Sequence, residues 1–129
     1  MLIYFLQPNF EFSDDRGCLV QLAREGYRQI NVVSSKAGVF RGGHYHALNQ
    51  EVFYVISGRF TLVVSKEGIE ETYEMKTGDF FAVPPFVVHS FTYLEDTLLL
   101  GLYDRGVELP DGSKDIISWE ETGSYERKL

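Results

Sequence analysis

Apolar and polar residues alternate with a period of two along most of this chain, in short runs broken by turn residues. The run that opens at Glu51 shows it most plainly. Glu51, Phe53, Val55 and Ser57 fall on one face of an extended strand, and Val52, Tyr54 and Ile56 on the other. Runs of this kind predict strands at Leu2–Leu6, Leu19–Leu22, Gln29–Ser34, Gly42–His46, Glu51–Ser57, Arg59–Ser65, Glu70–Met75, Phe80–Val83, Ser90–Leu94 and Thr97–Tyr103. Ser57-Gly58 and Glu67-Gly68 read as hairpin turns, and Lys76-Thr77-Gly78-Asp79 as a third. No stretch sustains a 3.6-residue period. The pattern predicts an all-β sandwich or barrel. The more polar segment from Asp104 to Leu129 holds a turn at Pro110-Asp111-Gly112. Within it, Asp115–Trp119 is expected either to add an edge strand or to place Trp119 over the barrel mouth, and Glu126–Leu129 to fray.

Composition narrows this picture. At 129 residues the chain is read as a single domain spanning 1–129, with 44% hydrophobic and 15% aromatic residues, a balance that favours sheet. A formal net charge of −7 argues against a basic surface for nucleic acid, so an anionic ligand needs a local basic pocket. The lone Cys18 leaves no intrachain disulfide and is expected to be a small buried hydrophobe. The apolar start has no positive region and only five residues before Gln7-Pro8, too short for a signal peptide or membrane span; a cytoplasmic protein is expected. An apolar N-terminal strand left unpaired exposes an edge, which favours a homodimer. Phe80, Phe81 and Phe86 are expected in the core.

The candidate chemistry lies between Gly38 and His89. His44 and His46 are two apart, so both imidazoles point to one face of a strand. A turn at 47–50 returns the carboxylate of Glu51 toward them, and His89 follows on another short apolar segment. These are the three histidines of the chain. Three imidazoles and one carboxylate form a common ligand set for one divalent transition metal ion: zinc, nickel, iron or manganese.

The spacing Gly38, His44, His46, Glu51, Gly58 resembles the first motif of the cupins at every position. Gly78, Pro84 and His89 resemble the second motif, with Phe86 where that motif has glycine and Tyr93 where it has asparagine. The resemblance implies a cupin (jelly-roll) β-barrel of two antiparallel sheets. Within that superfamily, F-S-D-D-R-G at 12–17, R-Q-I-N-V-V-S at 28–34 and G-V-F-R-G-G-H-Y-H at 38–46 resemble the dTDP-4-dehydrorhamnose 3,5-epimerases and the nucleotide-sugar 3,4-ketoisomerases. His44-Tyr45-His46 matches the His-x-His of the ketoisomerases more closely than the His-Tyr-Gln of the epimerases.

This likeness implies an isomerase or epimerase acting on a nucleotide-linked 4-keto-6-deoxy sugar, in polysaccharide or glycoside biosynthesis. His44 and His46 then serve as base and proton shuttle. Arg41 stabilises the enediolate, and Arg16 with Arg41 grips the diphosphate. Tyr45, Tyr54 and Tyr93 are candidates to stack on the base or donate a proton. A histidine that ligates a metal has committed its lone pair, so the acid/base and metal roles of His44 and His46 compete. Two alternatives stand beside this reading: a metal-dependent dioxygenase-like cupin, and a non-catalytic cupin that binds a small molecule.

Overall fold

The computed structural model describes residues 1–119, and twelve antiparallel-paired strands account for its regular structure. In chain order they are β1 (Tyr4–Phe5), β2 (Phe10–Asp14), β3 (Gly17–Gln21), β4 (Gln29–Ser35), β5 (Phe40–Tyr45), β6 (Glu51–Ser57), β7 (Arg59–Lys66), β8 (Ile69–Lys76), β9 (Phe80–Val83), β10 (Val88–Tyr93), β11 (Thr97–Tyr103) and β12 (Ile117–Ser118). One sheet runs β1-β9-β6-β11-β4 and the other β12-β5-β10-β7-β8, while among the described residues β2 and β3 pair only with each other. The two main sheets face each other as a sandwich, and no ladder among the described strands joins them into a closed barrel. Among the described residues no helix is long and apolar enough to cross a membrane.

The period-two pattern explains the packing. On β7, Phe60, Leu62 and Val64 point inward and are fully buried. On β6, Phe53 and Val55 join them, whereas Val52 on the opposite face packs in an outer layer with Phe80 and Leu102. Aromatic rings fill the centre: Phe60 stacks on Phe91 at 5.2 Å and Phe53 on Phe81 at 5.3 Å between centroids. Each such side chain removes enough apolar surface from water to contribute about 1.5–3 kcal/mol. The β7–β8 hairpin turns through Glu67 and Gly68, both at positive φ (52° and 82°), the geometry of a tight primed turn.

Several expectations need correction. The N-terminal strand shrinks to Tyr4–Phe5 and pairs within the chain, against Phe81 and Ala82 of β9. β1 is still the end strand of its sheet, so its outer edge, on which the dimer expectation rests, has no partner strand among the described residues. The other end strands are β4, with Ile30 and Val32 exposed, β8 and β12, and the β2–β3 hairpin leaves Phe10, Phe12 and Leu19 exposed. The first strand of that hairpin was not predicted, although Phe10 and Phe12 alternate with Glu11 and Ser13 ahead of the Asp15-Arg16 turn. Cys18 is exposed, because it lies on this uncovered hairpin. Phe86 is also exposed, at a positive φ of 68°, the conformation that makes glycine usual at that point of the motif. Of the two placements expected for segment 115–119, the edge strand is the one found. Ile117–Ser118 adds a short strand beside β5, and Trp119 donates its backbone N–H to the Gly43 carbonyl, its ring 6.5 Å from that of Tyr45. Glu126–Leu129 lie outside the described residues.

Candidate metal centre

Strand pairing carries the four flagged ligands to one end of the sandwich. His44 on β5 sits directly across from His89 on β10, and a bulge between His89 and Ser90 shifts the register just beyond. Gly42 makes that approach possible. A Cβ there would lie 2.6 Å from the His89 carbonyl oxygen and 2.9 Å from Ser90 Cα, and its φ is +114°. His46 follows the end of β5, and a four-residue loop returns the chain to Glu51, the first residue of β6. One sheet and the loop at its end thus supply the imidazoles, and the facing sheet supplies the carboxylate.

One ligand atom from each of His44, His46, Glu51 and His89 lies within 4.8 Å of the others. His46, Glu51 and His89 are buried, and His44 is half-buried. The ring centroids of His44 lie 4.6 Å from His89 and 5.3 Å from His46.

Hydrogen bonding decides which nitrogens face inward. His46 Nδ1 lies 2.5 Å from the Asp115 carbonyl oxygen, and His89 Nδ1 lies 3.0 Å from that of Val87. A carbonyl oxygen only accepts, so both Nδ1 atoms carry the proton. Their Nε2 lone pairs then converge on Glu51 Oε1, at 3.0 Å from His46 and 3.5 Å from His89. His89 Nε2 is buried without a hydrogen-bond partner among the described residues. Two lone pairs aimed at one carboxylate oxygen repel unless a proton or a cation stands between them. A divalent cation satisfies all three groups at once, and carbonyl-locked imidazoles are the usual way a protein orients such ligands. The donor set fits a metal.

Electrostatics describe the site with protons alone. Burial, then the neighbouring His89 and His46 imidazoles, push His44 down to about 4 against the pull of Glu51. Burial also opposes charge on His46, but its hydrogen bonds to the Glu51 carboxylate and to the Asp115 carbonyl outweigh that, and its pKa is raised. Glu51, which burial alone would raise, is held at about 2 by His46 and His89.

Beside the cluster is a cavity of about 130 Å³. Arg41, Phe91, Tyr93, Leu99 and Tyr103 line it together with His44, Glu51 and His89. Arg41 is steered by two hydrogen bonds, Nε to Ser35 Oγ at 2.7 Å and a terminal nitrogen to the Ser34 carbonyl at 3.3 Å. The Tyr93 hydroxyl is buried and partnerless among the described residues. Burial raises its pKa, an effect that Ser35 and Arg41 partly oppose.

Three candidates lie elsewhere. Tyr45 is buried against Val88 and Ile117, with its ring 5.8 Å from Phe86, and does not line the cavity. Tyr54 packs in the outer apolar layer, edge-on to Phe80 at 5.9 Å. Arg16 is exposed on the β2–β3 hairpin, paired with Asp14 at 2.5 Å. Sequence reasoning missed Tyr103, whose ring meets His46 at 5.4 Å, and the buried pair Asn49 and Asp115. β11 reads T-L-L-L-G-L-Y, too uniformly apolar for its polarity pattern to single out Tyr103. Nothing local marks Asp115 among the polar residues around it.

Residues 32–100, more than half of the chain, match the family described as Cupin domain. The chain belongs to the cupin family. Its fold is similar to that of the sugar 3,4-ketoisomerase QdtA from Thermoanaerobacterium thermosaccharolyticum, solved in complex with TDP, with a TM-score of 0.74 and 17% identity over 90% of this chain and 87% of that one. It is also similar to the dTDP-4-dehydrorhamnose 3,5-epimerase from Sulfolobus tokodaii, with a TM-score of 0.69 and 18% identity over 96% of this chain and 85% of that one. The 3'-monoepimerase ChmJ from Streptomyces bikiniensis, in complex with dTDP-quinovose, gives a TM-score of 0.72 at 21% identity, over 93% of this chain and 70% of that one. No curated protein matches the chain in sequence.

Proposed function

We propose that this cupin is a metal-dependent isomerase or epimerase acting on a nucleotide-linked 4-keto-6-deoxy sugar. The observation that carries the reading is the convergence of the locked His46 and His89 nitrogens on Glu51, at the wall of a cavity that also holds Arg41 and the Tyr93 hydroxyl. The solved neighbours that bind TDP or dTDP-quinovose support the substrate class.

His46, Glu51 and His89 would hold the ion, as two imidazoles and a carboxylate do in catalytic sites that keep a position open. Zinc, nickel, iron and manganese all suit such a set. Held by these residues, a divalent ion would supply Lewis-acid polarisation of a carbonyl oxygen and positive charge near the enediolate. His44 is the proton carrier. It is half-buried, has no hydrogen bond among the described residues, and its depressed pKa keeps it unprotonated at neutral pH. An enediolate forming beside it favours the imidazolium and raises that pKa toward the working range. Tyr93, protonated and unpartnered, returns a proton from Oη, and the guanidinium of Arg41 faces the developing negative charge. His46 is thereby assigned to the ion and not to the proton shuttle. Arg16 lies outside the cavity lining, so the anion contact falls to Arg41. The exposed apolar side chains of the β2–β3 hairpin and β4 favour a homodimer, which light scattering tests directly.

Incubation with dTDP- and UDP-linked 4-keto sugars in deuterated water is the test. Turnover places deuterium on the carbon next to the original carbonyl. Metal-loaded protein that exchanges none of these substrates contradicts the reading. A second reading rests on the cavity itself, which is small and walled by Val33, Phe53, Phe91 and Leu99. Those features suit a small substrate and oxygen chemistry on iron. Oxygen consumption by the iron-loaded protein, without deuterium exchange, selects it.

A further inference from the structure

Asp115 lies beyond the residues that match the cupin family, yet it touches the centre of the site. It is 1% exposed, and its carboxylate grips the loop between two ligands. Oδ1 accepts the Ala47 N–H at 2.9 Å, while Oδ2 accepts the Leu48 and Asn49 N–H groups, each at 3.0 Å, and the Asn49 side-chain amide at 2.8 Å. The same residue's backbone carbonyl receives the His46 Nδ1 proton. Its own N–H donates to the Val107 carbonyl at 2.8 Å, and the next strand, β12, pairs with β5 so that Ser118 lies opposite His44. Asn49 extends the clasp, since its Oδ1 accepts the N–H groups of Arg105 and Gly106.

The loop 47–50 is all that separates His46 from Glu51, so its shape sets how their ligand atoms meet. A four-residue loop with three successive N–H groups held by one carboxylate has little freedom left. Although burial opposes it, the Asn49 amide and the three backbone donors keep Asp115 ionised, with its pKa below the usual carboxylate range.

We propose that Asp115 is a positioning residue for the metal centre: its carboxylate clamps the 47–50 loop, and its carbonyl fixes His46 as the Nδ1–H tautomer with Nε2 directed at Glu51. The inference rests on the metal reading of the cluster for its effect on affinity, but not for the tautomer. The C-terminal segment is then part of the site and not merely an edge strand.

Zinc affinity is measured for the parent, Asp115→Ala, Asp115→Asn and a core control, Met75→Ala, on β8, which contributes no residue to the cavity. Loss of an orienting partner typically weakens metal binding by about 10- to 100-fold, and Asp115→Ala should fall in that range. Asp115→Asn keeps one acceptor oxygen and recovers most of the loss. Met75→Ala lowers the melting temperature without changing zinc affinity. Long-range proton–nitrogen NMR correlations on the parent, with and without zinc, give the second readout: His46 carries an exchange-protected proton on Nδ1 in both, and Asp115→Ala, which keeps the carbonyl but loses the clamp, exposes the Ala47, Leu48 and Asn49 amides to faster exchange. Unchanged zinc affinity in Asp115→Ala overturns the proposal, as does an equal loss in Met75→Ala. If Asp115→Ala does not fold, an Nε2–H tautomer for His46 in the zinc-free parent overturns it. A parent that binds no zinc removes the metal reading, and the NMR result then decides on Asp115 by itself.

Discussion

The sequence singles out two regions with equal clarity, the histidine-bearing strands and the F-S-D-D-R-G segment, and the fold treats them in opposite ways. The histidines converge because β5, β10 and the start of β6 are tied by ladders to a buried aromatic core. The β2–β3 hairpin carries Arg16 on a ladder that pairs with no other described strand, and all but Val20 and Gln21 of its strand residues are exposed. Two strands alone are marginal in water. A functional group on the first region is placed to within a hydrogen bond; one on the second is placed only by whatever comes to cover it. Tight positioning here comes from the surrounding ladders and not from the motif.

The largest effect should come from breaking the first region at its carboxylate. Glu51→Ala removes the carboxylate on which His46 and His89 converge. The imidazoles left behind can stay neutral, so the loss falls on the metal more than on folding: the variant should bind no metal, whereas urea titrations of the metal-free protein should show only a small change. Gly42→Ala comes next. Its Cβ collides with the His89 carbonyl at a left-handed φ, and strain with overpacking together cost about 2–5 kcal/mol. Metal affinity should drop with stability in this variant, because His44 and His89 are forced apart.

A smaller, pH-dependent effect sharpens the same region. His44 has its folded pKa depressed to about 4 from 6.5, so the unfolded state takes up a proton first as the solution is acidified. Stability of the metal-free protein is therefore lost as pH falls from 6.5 to about 4. The raised pKa of His46 has the opposite sense: its contribution is present below 6.5 and fades as pH rises through the folded value. The two together place a stability maximum near pH 6.5, and His44→Gln should flatten the acid side alone. Chemical denaturation across this range checks it. The smallest effect belongs to the hairpin. Arg16→Ala removes an exposed ion pair and should leave monomer stability and metal content unaltered. A large loss from that change would erase the contrast between the two regions.

Much of this was legible in the residues. Period-two alternation located nearly every strand of the sandwich, because one face of each must be buried and a slip by one residue would expose it. The spacing of His44, His46 and Glu51 predicted a shared face, since a strand, a four-residue turn and a returning strand leave few other geometries. Other features depended on packing between distant segments. Tyr45, Tyr54 and Tyr93 look alike in sequence, and only the pairing of β10 between β5 and β7 turns Tyr93 into the cavity. Asp115 acts across 66–69 residues of sequence through backbone groups, which carry no side-chain signature at all. Cys18 was expected to be buried because its neighbours are apolar, yet an uncovered hairpin hides neither of its faces.

The claim on which the rest depends is that His46, Glu51 and His89, with His44 beside them, make a centre for one divalent ion. Elemental analysis of protein prepared without a histidine tag measures it directly, together with Glu51→Ala as the blank. The account predicts close to one equivalent of a first-row transition metal in the parent, bound natively or after soaking, and none in the variant. Less than about a tenth of an equivalent in the parent, with no gain on soaking, would contradict it.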